Sequence, residues 1–245
     1  MSYCDAHCHL ANLDALLPVA PLLDEAVQHG ITRFFSTALT RRETELHARW
    51  NDPRIIHGAG VHPNFDECDL TLDDVRDYCA RGMIQAVGEI GYDRNGAALS
   101  EQLGLLDAQL AIARDFQLPV ILHLVGLPEP VLDLLKSYSL SYLVHGFAGK
   151  TSHFEQLSRL NAWFTISERI IKPDKHELLQ AMVMGGRYLF ETDITRYYVL
   201  PGETNPLLRL PALVKQAAAI CGMLPVDLER GQTQSFQAFT GQSLG

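Results

Sequence analysis

Eight short apolar, β-rich runs recur along this 245-residue chain, each followed by a segment of helical character, and that alternation leaves few folds open. The runs are Tyr3–His7, Ile31–Thr37, Ile55–Gly60, Gln85–Ile90, Pro119–His123, Ser141–His145, Ala162–Ser167 and Tyr188–Thr192. Between them, Glu101–Phe116 has the clearest amphipathic pattern, with Leu103, Leu106, Leu110 and Ala113 on one stripe. Pro21–His29 is closed by Gly30, which suits a helix C-cap, and Asp73–Ala80, Pro130–Tyr138, His153–Leu160, Asp174–Met184 and Pro206–Cys221 fill further gaps. Buried strands alternating with helices call for parallel pairing, because only crossovers can join parallel neighbours. The expected architecture is an α/β fold, the (β/α)8 TIM barrel, as a single domain over residues 1–245. A doubly wound open sheet is the alternative, but no glycine-rich dinucleotide or P-loop motif follows any run.

Composition narrows the function classes. Hydrophobic residues make up 47% and charged residues 20%, an ordinary globular balance without a disordered bias. A net charge of −9 argues against broad electrostatic wrapping of duplex nucleic acid, yet permits a small anionic substrate held by metal ions. Cysteines at 4, 8, 68, 79 and 221 are odd in number and have no C-x-x-C spacing, so they read as reduced thiols of a cytoplasmic protein. Leu16 to Leu23 is the one early stretch resembling a signal core, and Pro18 and Pro21 interrupt it. No apolar run approaches the length of a membrane span, and no stable protein partner is indicated.

Chemistry-bearing residues fall at the ends of the runs. His7 and His9, separated by one residue at the first run, point the same way if the backbone is extended. Glu89, His123, His145 and Asp193 each close a separate run. In a (β/α)8 barrel the C-terminal strand ends form one rim, where active sites are built. Four imidazoles and two carboxylates there exceed the demand of one tetrahedral zinc and fit a two-metal centre, with Glu89 able to bridge and Asp193 able to take a water proton. The mixed nitrogen and oxygen set suits Zn, Mn, Fe or Co and is less natural for Ca. His62, just past the third run, is a further rim histidine. His29, His47, His153 and His176 lie in helical stretches as solvated or capping residues, and His57 is expected to pack in the barrel or against a helix.

The elements D-A-H-C-H-L (5–10), G-V-H-P (60–63), G-E-I-G-Y-D (88–93), L-P-V-I-L-H (118–123), V-H-G-F-A-G (144–149) and E-T-D (191–193) stand in register along the chain. Together they resemble the TatD-like metal-dependent deoxyribonucleases, a branch of the amidohydrolase-like barrels, as far as Asn205-Pro206. The resemblance implies His7, His9, Glu89 and Asp193 around one metal and Glu89, His123 and His145 around the other. It implies two divalent ions as cofactors, Zn, Mn or Mg, and DNA or a nucleotide-type substrate. Three departures bear on that substrate. Where the family has Ser-Arg-Asp after the fifth-strand histidine, this chain has Leu124-Val125-Gly126; His-Cys-Phe-Ser-Gly becomes His145-Gly146-Phe147-Ala148-Gly149; and the proline after E-T-D gives way to Ile194-Thr195-Arg196. Ser235 stands near the C-terminus where the family has Asn, in a structural role.

Arg94 and Arg196 follow two of these elements and either clamp a phosphate in place of the absent arginine or are surface loop charges. Lys150 is a weaker candidate of the same kind. His62 either donates to substrate or only fixes the loop before Pro63, Asp93 is expected to orient a ligand, and Tyr197 and Tyr198 either stack on a base or pack. The leading function is a metal-dependent hydrolase, a deoxyribonuclease or phosphodiesterase acting on DNA ends or short single strands, with Asp193 and Glu89 as its catalytic carboxylates. An ester or amide hydrolase acting on a small molecule or a nucleic-acid conjugate is the alternative. A weakly active metal-binding partner protein is a third reading, and six intact ligands count against it.

Overall fold

A computed structural model describes residues 2–244. Eight strands follow one another in chain order around a closed barrel: β1 (Tyr3–Cys8), β2 (Ile31–Ala38), β3 (Ile55–Ala59), β4 (Ala86–Asp93), β5 (Val120–Val125), β6 (Tyr142–His145), β7 (Ala162–Ile166) and β8 (Tyr188–Phe190). This is the (β/α)8 fold expected from the eight runs. Among the described residues no single helix is long and apolar enough to cross a membrane. The chain gathers into two compact units, which are described in turn.

Among the described residues, the first unit comprises residues 2–36, Gly146–Ala148 and residues 163–244. Here β1 pairs in parallel with β2 on one side and with β8 on the other, where Asp5 stands opposite Phe190. β7 and β8 are matched from Phe164↔Tyr188 to Ile166↔Phe190. Phe34, Phe35, Phe164, Phe190 and Phe236 are fully buried and form much of the local core. β8 is only three residues long, shorter than the expected Tyr188–Thr192. The helix Pro225–Thr240 explains how so short a strand is anchored. Ser235 Oγ accepts from Tyr188 N and Gln232 Oε1 from Phe190 N, both at 3.2 Å, which makes Ser235 a structural residue as expected.

The second unit comprises Thr37–His145 and Gly149–Ala162. β3 to β6 are parallel neighbours, and β4 with β5 is the longest pairing, from Val87↔Val120 to Asp93↔Val125. The helix Leu99–Asp115 buries Gln102, Leu106, Gln109, Leu110, Ile112 and Ala113, so Leu103 is not part of its buried stripe and two glutamines are. Both are bonded to backbone. Gln102 accepts from Asp93 N and donates to Asp93 O, each at 2.9 Å, while Gln109 accepts from Val61 N at 2.7 Å and donates to Val61 O at 3.1 Å. The outer helix therefore fixes the segments carrying Asp93 and His62 through satisfied buried amides.

The helix Arg41–Trp50 buries Glu43, Thr44 and His47. His47 is accordingly a core residue and not the solvated one expected, its ring 4.7 Å from that of His57. His57 packs against a helix, as anticipated, and burial pushes its pKa down to about 4.

β4 carries a register shift between Val87 and Ile90, the stretch that contains Glu89. Gly88 permits it, because a Cβ at this position would stand 2.6 Å from Ile121 Cβ and 2.7 Å from the Ile121 carbonyl oxygen. Gly88→Ala is expected to destabilise the protein by about 1–3 kcal/mol through overpacking. Urea unfolding monitored by circular dichroism checks this, and an unchanged midpoint contradicts it.

Candidate metal centre

The first unit presents two histidines and an aspartate. His7 lies near the end of β1 and His9 just beyond it, and the extended backbone turns both rings to one side, with their Nε2 atoms 3.2 Å apart. The rings stand nearly perpendicular, at 87°, so both nitrogens converge on one point without stacking. Beyond β8 the chain stays joined to β1: Asp193 N donates to His7 O at 2.9 Å, and His9 N to Ile194 O at 3.0 Å. Asp193 takes a left-handed backbone, φ 52°, a conformation that aspartate tolerates better than most residues. Its Oδ1 lies 3.7 Å from His7 Nε2 and 3.6 Å from His9 Nε2.

Buried acids support this group. Asp5 accepts from Thr192 N at 3.0 Å and from Thr192 Oγ1 at 2.6 Å, and burial pushes its pKa up to about 7 despite those bonds. Glu191 accepts from Gly146 N at 2.8 Å; its carboxyl is held well above the usual range, first by burial and then by repulsion from Asp193.

In the second unit, Glu89 of β4, His123 of β5 and His145 of β6 come together. Glu89 Oε2 lies 2.7 Å from His145 Nε2 and 3.4 Å from His123 Nδ1, and those two ring nitrogens are 3.2 Å apart. The other nitrogen of His123 meets Asp93 Oδ2 at 3.1 Å, as expected of a carboxylate that orients a ligand. Burial lowers the His123 pKa, but Glu89 and Asp93 outweigh it and the net shift is upward.

His62 joins the same cluster, its Nε2 3.6 Å from Glu89 Oε2 and its ring 4.4 Å from that of His123. Asn64 N donates to His62 Nδ1 at 2.9 Å, which leaves the ring proton on Nε2. His62 therefore offers an N–H donor beside the cluster, where it stands with Glu89 and His123 in a group that could also hold an ion.

The family described as TatD related DNase matches residues 4–241. The chain belongs to that family. It is 30% identical over 220 residues to the 3′-5′ ssDNA/RNA exonuclease TatD of Dickeya dadantii, covering 79% of this chain and 81% of that protein. It is 26% identical over 212 residues to the deoxyribonuclease TATDN3 of Homo sapiens, covering 77% and 76%. Among solved structures, the TatD homologue YjjV of Escherichia coli superposes with a TM-score of 0.82 at 22% identity, covering 98% of both chains. This TatD-family member is thus a hydrolase of a metal-dependent kind on a whole-length barrel.

The donor chemistry of both clusters fits a divalent ion. Imidazole nitrogens and carboxylate oxygens are the usual ligands of zinc, and a tetrahedral ion with bonds of about 2.0–2.1 Å spaces its donors roughly 3.3 Å apart. The spacings of 3.2, 3.6 and 3.7 Å around His7, His9 and Asp193 bracket that value, as do 2.7, 3.2 and 3.4 Å around Glu89, His123 and His145.

The basic candidates are placed differently from one another. Arg94 is exposed in a turn after β4, and Arg196 lays its guanidinium over the Tyr197 ring at 4.7 Å. Arg169, not among the residues expected at the site, donates from Nη2 to Asp193 Oδ2 at 2.8 Å. Its signal was available, since Glu168-Arg169 directly follows the seventh expected run, as Asp193 directly follows the eighth.

Asp93→Asn is expected to weaken metal binding about 10- to 100-fold, because the carboxylate that orients His123 is lost. Competition titration against a chromophoric chelator measures this, and unchanged affinity contradicts the role given to Asp93.

Proposed function

We propose that this TatD-family hydrolase cleaves phosphodiester bonds of DNA, at ends or in short single strands, with two divalent ions, one held by each histidine cluster. The observation that carries the reading is the duplication itself: each unit offers two imidazoles and a carboxylate with donor atoms at ligand spacing. His7, His9 and Asp193 would hold one ion, His123 and His145 the other, and Glu89 would serve both. The family match over residues 4–241 and the named activities of the Dickeya and human relatives support a nucleic-acid substrate.

Divalent ions bound there would lower the pKa of water and neutralise charge on the scissile group. The remaining work falls to the chain's own residues. Asp193 divides its oxygens, Oδ1 toward the histidines and Oδ2 toward Arg169, and a carboxylate so fixed can receive the proton of an attacking water. His62 presents its Nε2–H to a non-bridging phosphate oxygen. Asp93 keeps the His123 ring from rotating. Zn, Mn and Mg are the metals to test.

A second reading, hydrolysis of a carboxylic ester or amide, rests on one feature. Leu124 and Val125 continue β5 beside Tyr92 and Asp93, so the segment after His123 supplies no cation. A carbonyl substrate needs less positive charge than a phosphodiester.

With Mn, Zn or Mg added, 5′-labelled single-stranded DNA is expected to be shortened. Asp193→Asn should lower the rate about 10²–10⁴-fold while metal content is largely kept, since an amide still coordinates but takes no proton. Rate and metal content measured on the same samples decide the matter. Equal loss of both contradicts the role of Asp193 as base, and ester or amide turnover without DNA cleavage replaces the phosphodiesterase reading.

A further inference from the structure

Immediately beyond β7, Ser167 leads into the one-turn helix Glu168–Ile170, and this turn delivers Arg169 to Asp193. The Arg169 side chain is 49% exposed, whereas that of Asp193 is 13% exposed, so the guanidinium reaches inward from an open surface. Among the described residues, the guanidinium's hydrogen bond is from Nη2 to Asp193 Oδ2, at 2.8 Å. A guanidinium has five N–H donors in a planar fork matched to the oxygens of a phosphate.

A second observation concerns the seat of this arginine. Gly146 has φ 56° and donates from its N–H to Thr165 Oγ1 and Glu191 Oε1, both at 2.8 Å. A Cβ at Gly146 would stand 3.3 Å from Arg169 Nη1. The glycine thus leaves open the space beside the guanidinium. A half-exposed ion pair alone contributes little to stability. Such a pair gives no reason for an open seat beside a catalytic carboxylate.

We propose that Arg169 is the phosphate-binding cation of this enzyme, contacting a non-bridging oxygen of the substrate while its Nη2 stays on Asp193. The inference rests on the phosphodiesterase reading above. It assigns to the end of β7 the positive charge that β5 does not provide, since Leu124, Val125 and Gly126 are uncharged. Arg196 is less suited to the task because its guanidinium already lies on Tyr197.

The test compares wild type with Arg169→Gln and Arg169→Lys on a short single-stranded oligonucleotide in Mn, with metal content and thermal melting recorded for each. Arg169→Gln is expected to raise KM about tenfold or more, as loss of a charge-assisted hydrogen bond implies, with metal content unchanged. Its log(kcat/KM) should also fall less steeply with log salt, by about 0.7 in slope, the share of one phosphate contact on a single strand. Arg169→Lys should keep the wild-type salt slope with a smaller rise in KM, because charge remains but the fork is lost. Gly146→Ala, which crowds Nη1, should raise KM in the same direction and serves if the glutamine variant does not fold. A fall in kcat with KM and salt slope unchanged overturns the proposal and leaves Arg169 as a positioning residue for Asp193. Wild type that cleaves no DNA in Mn, Zn or Mg overturns the phosphodiesterase reading, and the clamp with it; wild type that cleaves DNA while Arg169→Gln keeps its KM and slope overturns the clamp alone.

Discussion

Glu89 is a carboxylate at 3% exposure with His145 Nε2 at 2.7 Å and His123 Nδ1 at 3.4 Å. A buried, unpaired carboxylate costs several kcal/mol, so the position is tenable only where positive charge is concentrated around it. Much of the second unit serves that requirement. β4 shifts register at Gly88-Glu89, β5 and β6 bring imidazoles alongside, and Asp93 holds the far side of the His123 ring. Gln102 in turn holds the Asp93 backbone from the outer helix. A divalent cation bound there would supply positive charge beside Glu89 in addition to what the two imidazoles provide.

The first unit solves the same problem with a different arrangement. His7 and His9 come from one strand, where the alternation of side chains does the aiming, and Asp193 arrives on a left-handed turn sewn to β1 by two backbone bonds. Asp193 is more open than Glu89 and is shared with Arg169. In the proposed reaction, a carboxylate with one oxygen toward His7 and His9 and the other toward Arg169 would receive the proton. The enclosed Glu89 is suited to holding cations.

What was legible in the sequence was whatever carried an apolar period or a chemically distinctive residue at a run's end. All eight strands and the six proposed ligands are of that kind. The helix Arg41–Trp50 escaped because its buried stripe is Glu43, Thr44 and His47, so no apolar period marks it. Gln102 and Gln109 escaped for a related reason: their burial depends on backbone groups at the end of β4 and beyond β3, and partners 9 and 48 residues away leave no trace in the helix's own period. The strand ends were misjudged by two or three residues at β4, β5 and β8, where ladder pairing and not composition decides where extension stops. Arg169 is a different case, since its position after β7 was visible and only its residue type, an arginine among many surface arginines, hid it.

The central claim is that each histidine cluster holds one divalent ion. Anomalous diffraction from Zn- or Mn-loaded crystals tests this most directly. The account predicts two anomalous peaks, one against His7, His9 and Asp193 and the other against Glu89, His123 and His145. A single peak, or a peak away from either cluster, would contradict it.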